Sequence, residues 1–151
     1  MKIAKALKTL SRLKGEAHDL SREIQECVST IQGNEFDFSY AEKMAEYKVC
    51  TSKIANLKAA IMKANVNNSL HGSSISVFES ICLLAELKNE LKLITSLDIK
   101  EGIEHNPYSN SEVSYNSQIS NKEKSVLSKK VKKNIEDIID ELDAFNSITE
   151  I

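Results

Sequence analysis

Apolar residues recur every three or four positions along this chain, and this spacing constrains the fold more than any other feature of the sequence. A step of three or four residues places side chains on one face of an α-helix. The first such series is Ile3, Leu7, Leu10, Leu13, Ala17, Leu20, Ile24, Cys27 and Ile31. The pattern predicts a long helix with one apolar face over about residues 2–32.

Three further series predict helices over about residues 40–65, 75–98 and 121–147. The second and third helices each begin with a capping box, in which a serine and a glutamate three residues later satisfy free N–H groups of the first turn. The two pairs are Ser39 with Glu42 and Ser76 with Glu79. These signals place the start of each helix within a few residues.

The second helix carries apolar residues on more than one face. Its main series steps close to the 3.5-residue repeat of coiled coils and comprises Tyr40, Met44, Tyr47, Cys50, Ile54, Leu57, Ile61 and Ala64. Ala45, Val49 and Met62 lie off that seam. We therefore expect this helix to have a further partner beyond the one that covers the seam.

Residues 99–121 break the helical pattern. Gly102 and the Asn106-Pro107 pair are turn signals, and serines and asparagines are dense around them. Polar and apolar residues alternate over residues 112–119, as they do in an exposed strand. The sequence predicts a long polar loop that contains a small β-hairpin.

Length and composition fit a helical bundle. The chain has 151 residues with 4 glycines and 1 proline, so helix breakers are few and one domain can hold a core. The fourth helix is basic in its first half and acidic in its second, against the helix dipole, and the basic start of the first helix would compensate its acidic end. We predict one domain over residues 1–151 with an all-α fold, an elongated antiparallel four-helix bundle of coiled-coil-like helical hairpins.

Charge and hydropathy exclude several classes of partner. The net charge of −2 provides no field to hold a nucleic-acid backbone. Charged residues recur every few positions, so we expect no membrane-spanning segment, and the charged start of the chain lacks the apolar core of a secretion signal. Cys27, Cys50 and Cys82 are widely spaced and odd in number, which indicates free thiols. We predict a cytoplasmic protein.

Catalytic and metal-binding patterns are absent from the sequence. His18, His71 and His105 have no cysteine or second histidine at ligand spacing, so we predict no metal site. The chain also lacks a Gly-x-Ser-x-Gly elbow and a phosphate-binding glycine-rich loop. We predict no cofactor and no enzymatic activity, although a site assembled from distant segments stays open.

Several segments carry a resemblance to a known family. They are Met1-Lys2-Ile3-Ala4 with Ala6-Leu7, residues 61–70 with Lys63 and Asn65 ahead of Gly72, the segment from Tyr108 to Val113, and Leu142-Asp143 with Asn146 and Thr149-Glu150. On these residues the chain resembles the septicolysin-like family of small helical bacterial and phage proteins, whose biochemical role is not established. The chain departs from the family pattern at Asn110 and Ser114, where the family tends to have basic residues, and at Ser147, where it tends to have tryptophan.

The polar loop and the segment after the second helix carry groups suited to a small polar ligand. Tyrosine rings stack on flat ligands, hydroxyl and amide groups bind polar edges, and lysines face phosphates. We predict that the two segments form pockets at the subunit interfaces of a homo-oligomer. The candidate ligand-binding residues are Lys63, Asn65, Asn68, Tyr108, Ser109, Ser111, Tyr115 and Lys122.

The function predicted from these features is binding without turnover. The homo-oligomer would sequester a small polar ligand such as a signalling nucleotide, as a phage-type anti-defence sponge does. The main alternative is a scaffold module whose long helices dock a partner protein and which has no small-molecule ligand. A third alternative is that the polar loops only cap helices and seal subunit contacts.

Overall fold

The fold was analysed in a computed structural model that describes residues 1–105 and 112–151. Within these ranges the chain forms four helices and one antiparallel pair of strands. In chain order they are α1 (Ile3–Cys27), α2 (Tyr40–Asn67), α3 (Val77–Ser96), β1 (Gly102–His105), β2 (Glu112–Tyr115) and α4 (Asn121–Ile148). The all-α bundle with a small hairpin is therefore confirmed, and so is the order of its helices.

The chain forms two compact units. One comprises residues 1–78 and 142–151, and the other comprises residues 79–141. A domain is a segment that folds independently, and a division into compact units does not show which segments do so. One domain over residues 1–151 therefore stays a prediction. No helix among the described residues is long and apolar enough to cross a membrane.

The core of the first unit lies between α1 and α2, which run antiparallel. The Cys50 thiol donates a hydrogen bond to the backbone oxygen of Leu13 at 3.3 Å, and Lys43 near the start of α2 pairs with Glu23 near the end of α1. Leu13, Leu20 and Cys50 form a buried cluster, and the half-buried residues packed against it are Ala17, Tyr47, Ile54 and Leu57. Removal of these side chains from water stabilises the pair.

Helix α1 ends earlier than its apolar spacing predicted. The spacing extends to Ile31, but the helix ends at Cys27, and Ile31 is 77% exposed. The residues that follow are Val28, Ser29 and Thr30, whose β-branched or hydroxyl side chains favour non-helical backbone. The prediction of helix up to residue 32 is therefore wrong.

Burial also differs from the predicted apolar face at the start of α1. Leu7 is 41% exposed, whereas Ala6 is fully buried. Successive residues of an α-helix are about 100° apart, so Ala6, three residues after Ile3 and four before Leu10, lies near the middle of the apolar face, whereas Leu7 lies at its edge. The predicted series included the larger side chain, but the structure buries the smaller one.

The two ends of the chain are hydrogen-bonded to each other. The N–H group of Ile3 donates to the Thr149 oxygen at 2.9 Å, and the N–H group of Ile151 donates to the Met1 oxygen at 2.9 Å. Lys2 and Glu150 form an antiparallel bridge between these bonds. The end of α4 thus lies beside the start of α1, which confirms the placement predicted from the charges of the two helices.

In the second unit, the start of α4 lies beside the end of α3. The Lys124 ammonium group donates to the Leu97 oxygen at 2.6 Å, and the Asn121 amide donates to Glu101 at 3.2 Å. Between them, β1 and β2 pair in the register Gly102 with Tyr115. Gly102 has a φ of +81°, a conformation that side-chain-bearing residues rarely adopt.

Serine side chains cap the starts of α2 and α4, and only the first of these two caps was predicted. The Glu42 N–H group donates to the Ser39 hydroxyl at 3.4 Å, as predicted for α2. A complete capping box at the start of α4 was not predicted from the sequence. The N–H and hydroxyl of Ser120 donate to the Glu123 carboxylate at 2.7 and 2.8 Å, and the Glu123 N–H donates back to the hydroxyl at 3.1 Å.

This capping box predicts a pH-dependent contribution to stability. The backbone and hydroxyl hydrogen bonds from Ser120 lower the pKa of Glu123 below its usual value of 4.5. A lowered folded-state pKa means that the carboxylate stabilises the fold above pH 4.5 and that this contribution is lost as the pH falls through the lowered value. We expect Glu123→Gln to be less stable than the wild type at neutral pH, and we expect this difference to shrink on acidification.

Urea unfolding at a series of pH values measures the difference. Glu136→Gln on the exposed surface of the same helix controls for the loss of one negative charge. A difference between wild type and Glu123→Gln that stays constant to low pH would contradict the assignment.

Candidate functional site

The predicted ligand-binding residues of α2 lie in its last turns. Lys63 is exposed, and the Asn68 amide donates to the Ala64 oxygen at 2.8 Å, so that it caps the end of the helix. Asn65 is half-buried, and its Oδ1 atom is buried without a hydrogen bond from the residues that the structure describes. These three residues are close in sequence on one helix, but Asn68 is already engaged in capping.

The predicted residues of the polar loop are placed separately. Tyr115 ends β2, is half-buried, and has the Lys100 ammonium group 5.1 Å from its ring centre. Lys122 is exposed in the first turn of α4. The Lys100 ammonium group occupies one face of the tyrosine ring, so a flat ligand could stack only on the other face.

The remaining predicted residues, Tyr108, Ser109 and Ser111, lie outside the described residues. Lys63, Asn65 and Asn68 belong to the first unit, and Tyr115 and Lys122 belong to the second. The proposed nucleotide pocket therefore stays a prediction.

One concave surface of the first unit is a groove along one side of the α1–α2 pair. Its floor is apolar and is formed by Leu13, Leu20, Cys50 and Leu57. Arg12, Glu16 and Asp19 form the rim on α1, and the rim on α2 is formed by Ala45, Glu46, Val49, Lys53 and Asn56. We call this surface the α1–α2 groove.

One end of the groove widens into a cleft of about 530 Å³ that is lined in part by Met1, Thr9, Ala60 and Ile151. A cleft of this size falls within the range of small-molecule sites, but most of its lining is aliphatic or carries a long charged side chain at the rim. The cleft continues along the helices past Glu16 and Lys53 rather than closing around one point. Its form is that of a channel along two helices.

An apolar residue stands in the middle of the α2 rim. Val49 is 55% exposed and lies opposite Glu16 in the groove. Ala45, one turn away, is also exposed. These are two of the residues that the sequence placed off the main seam of α2, and their exposure agrees with the expectation that the seam partner does not cover them.

Charge changes sign along the groove. The contacts of Leu13 with Cys50 and of Glu23 with Lys43 set the antiparallel register of the two helices. In this register Arg12 lies at the level of Lys53, and Asp19 lies at the level of Glu46. The Arg12 guanidinium also lies 3.6 Å from the Glu16 carboxylate on the same rim, and Asp19 lies 3.7 Å from Arg22. The end of the groove at Arg12 and Lys53 is therefore the more basic one, and the end at Asp19 and Glu46 is the more acidic one.

Lys43 ties the two helices together beyond the acidic end. Its ammonium group lies 2.9 Å from a Glu23 carboxylate oxygen, 3.6 Å from Glu46 and 4.9 Å from the centre of the Phe38 ring. The hydrogen bond to Glu23, together with the negative charge of that residue and of Glu46, raises the pKa of Lys43 above its usual value of 10.5. The pair stabilises the fold below that pH and loses this effect as the pH rises through the raised pKa.

Chemically, the groove offers aliphatic surface and fixed charges. The thiol of Cys50 is buried and donates to a backbone oxygen, so it is not presented to the groove as a nucleophile. In the described part of the chain, no three histidine, cysteine, aspartate or glutamate side chains are grouped so that they could hold a metal ion. The arrangement suits the docking of another apolar and charged surface.

A family model matches residues 11–151, nearly the whole chain, and its description is "Family of unknown function (DUF6847)". The chain belongs to the DUF6847 family. The match includes α2, α3, α4 and most of α1, so most of the groove lies within the DUF6847 region.

The fold of this DUF6847 protein is similar to a solved structure described as the crystal structure of a functionally unknown conserved protein from Corynebacterium diphtheriae. The two chains share 17% sequence identity with a TM-score of 0.82, over 100% of this chain and 98% of the other. At that identity the likeness supports the fold alone. No curated protein matches the chain.

Proposed function

We propose that this protein is a non-enzymatic protein–protein interaction module that docks a helical surface in its α1–α2 groove. The observation that carries the proposal is the groove itself, with an apolar floor, an exposed valine at the centre of one rim and charged residues at both ends. Of the functions predicted from the sequence, this is the scaffold alternative.

Two packed helices bury one seam and leave a furrow on each side. A third helix can lie in such a furrow, where its apolar side chains pack between the ridges of the first two. Here the buried Leu13 and Leu20 line the bottom of the furrow, while Val49 and Ala45 stand on its rim. A helix docked there would cover the exposed valine and extend the apolar contact.

The charges on the two rims would determine the direction in which a partner helix docks. Exposed ion pairs are worth about 1 kcal/mol or less each, so they choose the partner and its direction more than they hold it. A partner needs acidic groups opposite Arg12 and Lys53 and basic groups opposite Asp19 and Glu46. A surface of uniform charge would meet repulsion at one end.

Site-specific photo-crosslinking tests this function. A benzoylphenylalanine placed at position 49 faces the groove, whereas the same residue at the exposed position 48 faces about 100° further round the helix. We expect irradiation of cells that naturally produce the protein to give a defined protein adduct at position 49 and none at position 48. Mass spectrometry identifies the partner, which can be another protein or a second copy of the chain.

If position 49 gives no adduct, or if both positions give the same products, the groove is not a docking surface. Circular dichroism of each labelled protein establishes that the helices are intact.

A further inference from the structure

We propose that the partner of the α1–α2 groove is a second copy of this chain, docked antiparallel about a two-fold axis. This inference rests on the proposed function and names its partner. It uses only residues of α1 and α2, all of which lie in the first unit.

The charges along the α1–α2 groove are self-complementary. Arg12 and Lys53 mark the basic end of the groove, and Asp19 and Glu46 mark the acidic end. The two ends are about 10 Å apart along α1, at 1.5 Å per helical residue. A second copy rotated by 180° about an axis midway between them brings the basic end of each chain over the acidic end of the other.

Other orientations lack this match. With the two-fold axis along the groove, Arg12 would face Lys53 of the second copy and Asp19 would face its Glu46, and like charges at close range repel. An isologous contact about a two-fold axis forms every favourable pair twice, and it closes after two chains because both copies use the same surface. The charge pattern therefore specifies both the direction and the number of subunits.

An apolar residue lies at the centre of the groove. The midpoint of the charged ends falls at the level of Glu16 on α1 and Val49 on α2. In the antiparallel pair, the exposed Val49 of one copy would lie against the same valine of the other. The two Glu16 carboxylates would lie on either side of the axis, each offset by the Arg12 guanidinium 3.6 Å away on its own helix. Its 55% exposed side chain would then lose its contact with water, which is the favourable term in association.

A glycine lies at the same level of α1. Gly15 lies within α1, where glycine costs about 1 kcal/mol of helix stability relative to alanine. A Cβ added at Gly15 would meet no described atom within 4 Å, so packing within the described chain does not require a glycine there. A second backbone that approaches α1 at this point explains why a side chain is absent.

Reversal of charge at one end of the groove tests the orientation. Arg12→Glu with Lys53→Glu replaces both basic residues at one end of the groove by acidic ones, and Asp19→Lys with Glu46→Lys replaces both acidic residues at the other end by basic ones. We expect the wild type to be a dimer by light scattering and sedimentation, and we expect each double variant to dissociate, with a dimer dissociation constant at least about tenfold higher. An equimolar mixture of the two variants should form dimers again, because an acidic groove then faces a basic one.

Lys48→Glu with Lys58→Glu is the matched control. It changes the net charge as much as the first variant does, but at exposed positions of α2 outside the groove. We expect this control to remain dimeric. Recovery of dimers in the mixture also demonstrates that both groove variants are folded.

Gly15→Ala adds a second measurement. The alanine should raise the melting temperature of the monomeric charge variants, because it favours the helix, and it should weaken the wild-type dimer, because its methyl group stands where the second chain approaches. Tighter dimerisation of Gly15→Ala would place the contact elsewhere and overturn the inference.

Several outcomes separate this inference from the proposed function. A wild type that stays monomeric but crosslinks a different protein at position 49 overturns self-docking and leaves the interaction module standing. Dimers that persist in both charge variants, or a mixture that fails to re-form them, overturn the antiparallel arrangement. Absence of both dimers and adducts overturns the inference and the proposed function together.

Discussion

Replacement of Val77 by aspartate should lower the free energy of unfolding by about 3–5 kcal/mol, because it buries a charge without a partner. Val77 is the first residue of α3 and is fully buried, and its N–H group donates to the Asn68 oxygen at 2.8 Å. An acidic residue in the first turn of an exposed helix would favour the helix dipole. Any loss of stability therefore reports burial of the side chain and not a weaker helix.

Val126→Asp is the matched control for this variant. Val126 lies in α4 and is 60% exposed, so the same change there should alter stability by no more than about 0.5 kcal/mol. Urea unfolding followed by circular dichroism compares both variants with the wild type at neutral pH. Equal losses at the two positions would mean that Val77 is not in the core.

Replacement of Leu13 by alanine is expected to cost about 2–5 kcal/mol of stability. Leu13 is 7% exposed and packs with Leu20 and Cys50 between α1 and α2. Truncation removes most of its apolar contact and leaves a cavity that the two helices cannot fully close. The effect should appear as a lower unfolding midpoint in urea with an unchanged dependence on denaturant.

Leu7→Ala distinguishes the tertiary structure from the sequence pattern. Both leucines belong to the same apolar series of α1, but Leu7 is 41% exposed. Its truncation should cost about 1 kcal/mol or less. If the two variants were equally destabilised, the core would follow the sequence pattern and not the burial described here.

The signals that pointed towards the groove were present in the sequence but were weak. Ala45 and Val49 stood off the coiled-coil seam of α2, and this placement led to the expectation of a further partner. The groove itself could not be inferred, because it requires the register between α1 and α2. That register depends on contacts such as the one between Cys50 and the Leu13 oxygen, which join residues far apart in the chain.

The predicted ligand residues were chosen by chemical type and loop position. Residue type and loop position are local features of the sequence, whereas a binding pocket depends on how distant segments pack together. In the structure, the Asn68 side chain caps the end of α2, and the Lys100 ammonium group covers one face of the Tyr115 ring. Hydrogen bonds and ring contacts of this kind are made with neighbours that residue type alone does not reveal.

The sequence by itself determined the four helices, the Ser39 cap and the small hairpin, because helices, caps and hairpins depend on residues within a few positions of one another. The tertiary structure alone decided that α1 ends at Cys27 and that the chain ends pair through Lys2 and Glu150. It also decided that the charges of α1 and α2 line a single groove with opposite signs at its ends. Each of these outcomes depends on which distant surfaces pack together, and apolar spacing along one helix restricts that choice to a face without selecting the residues within it.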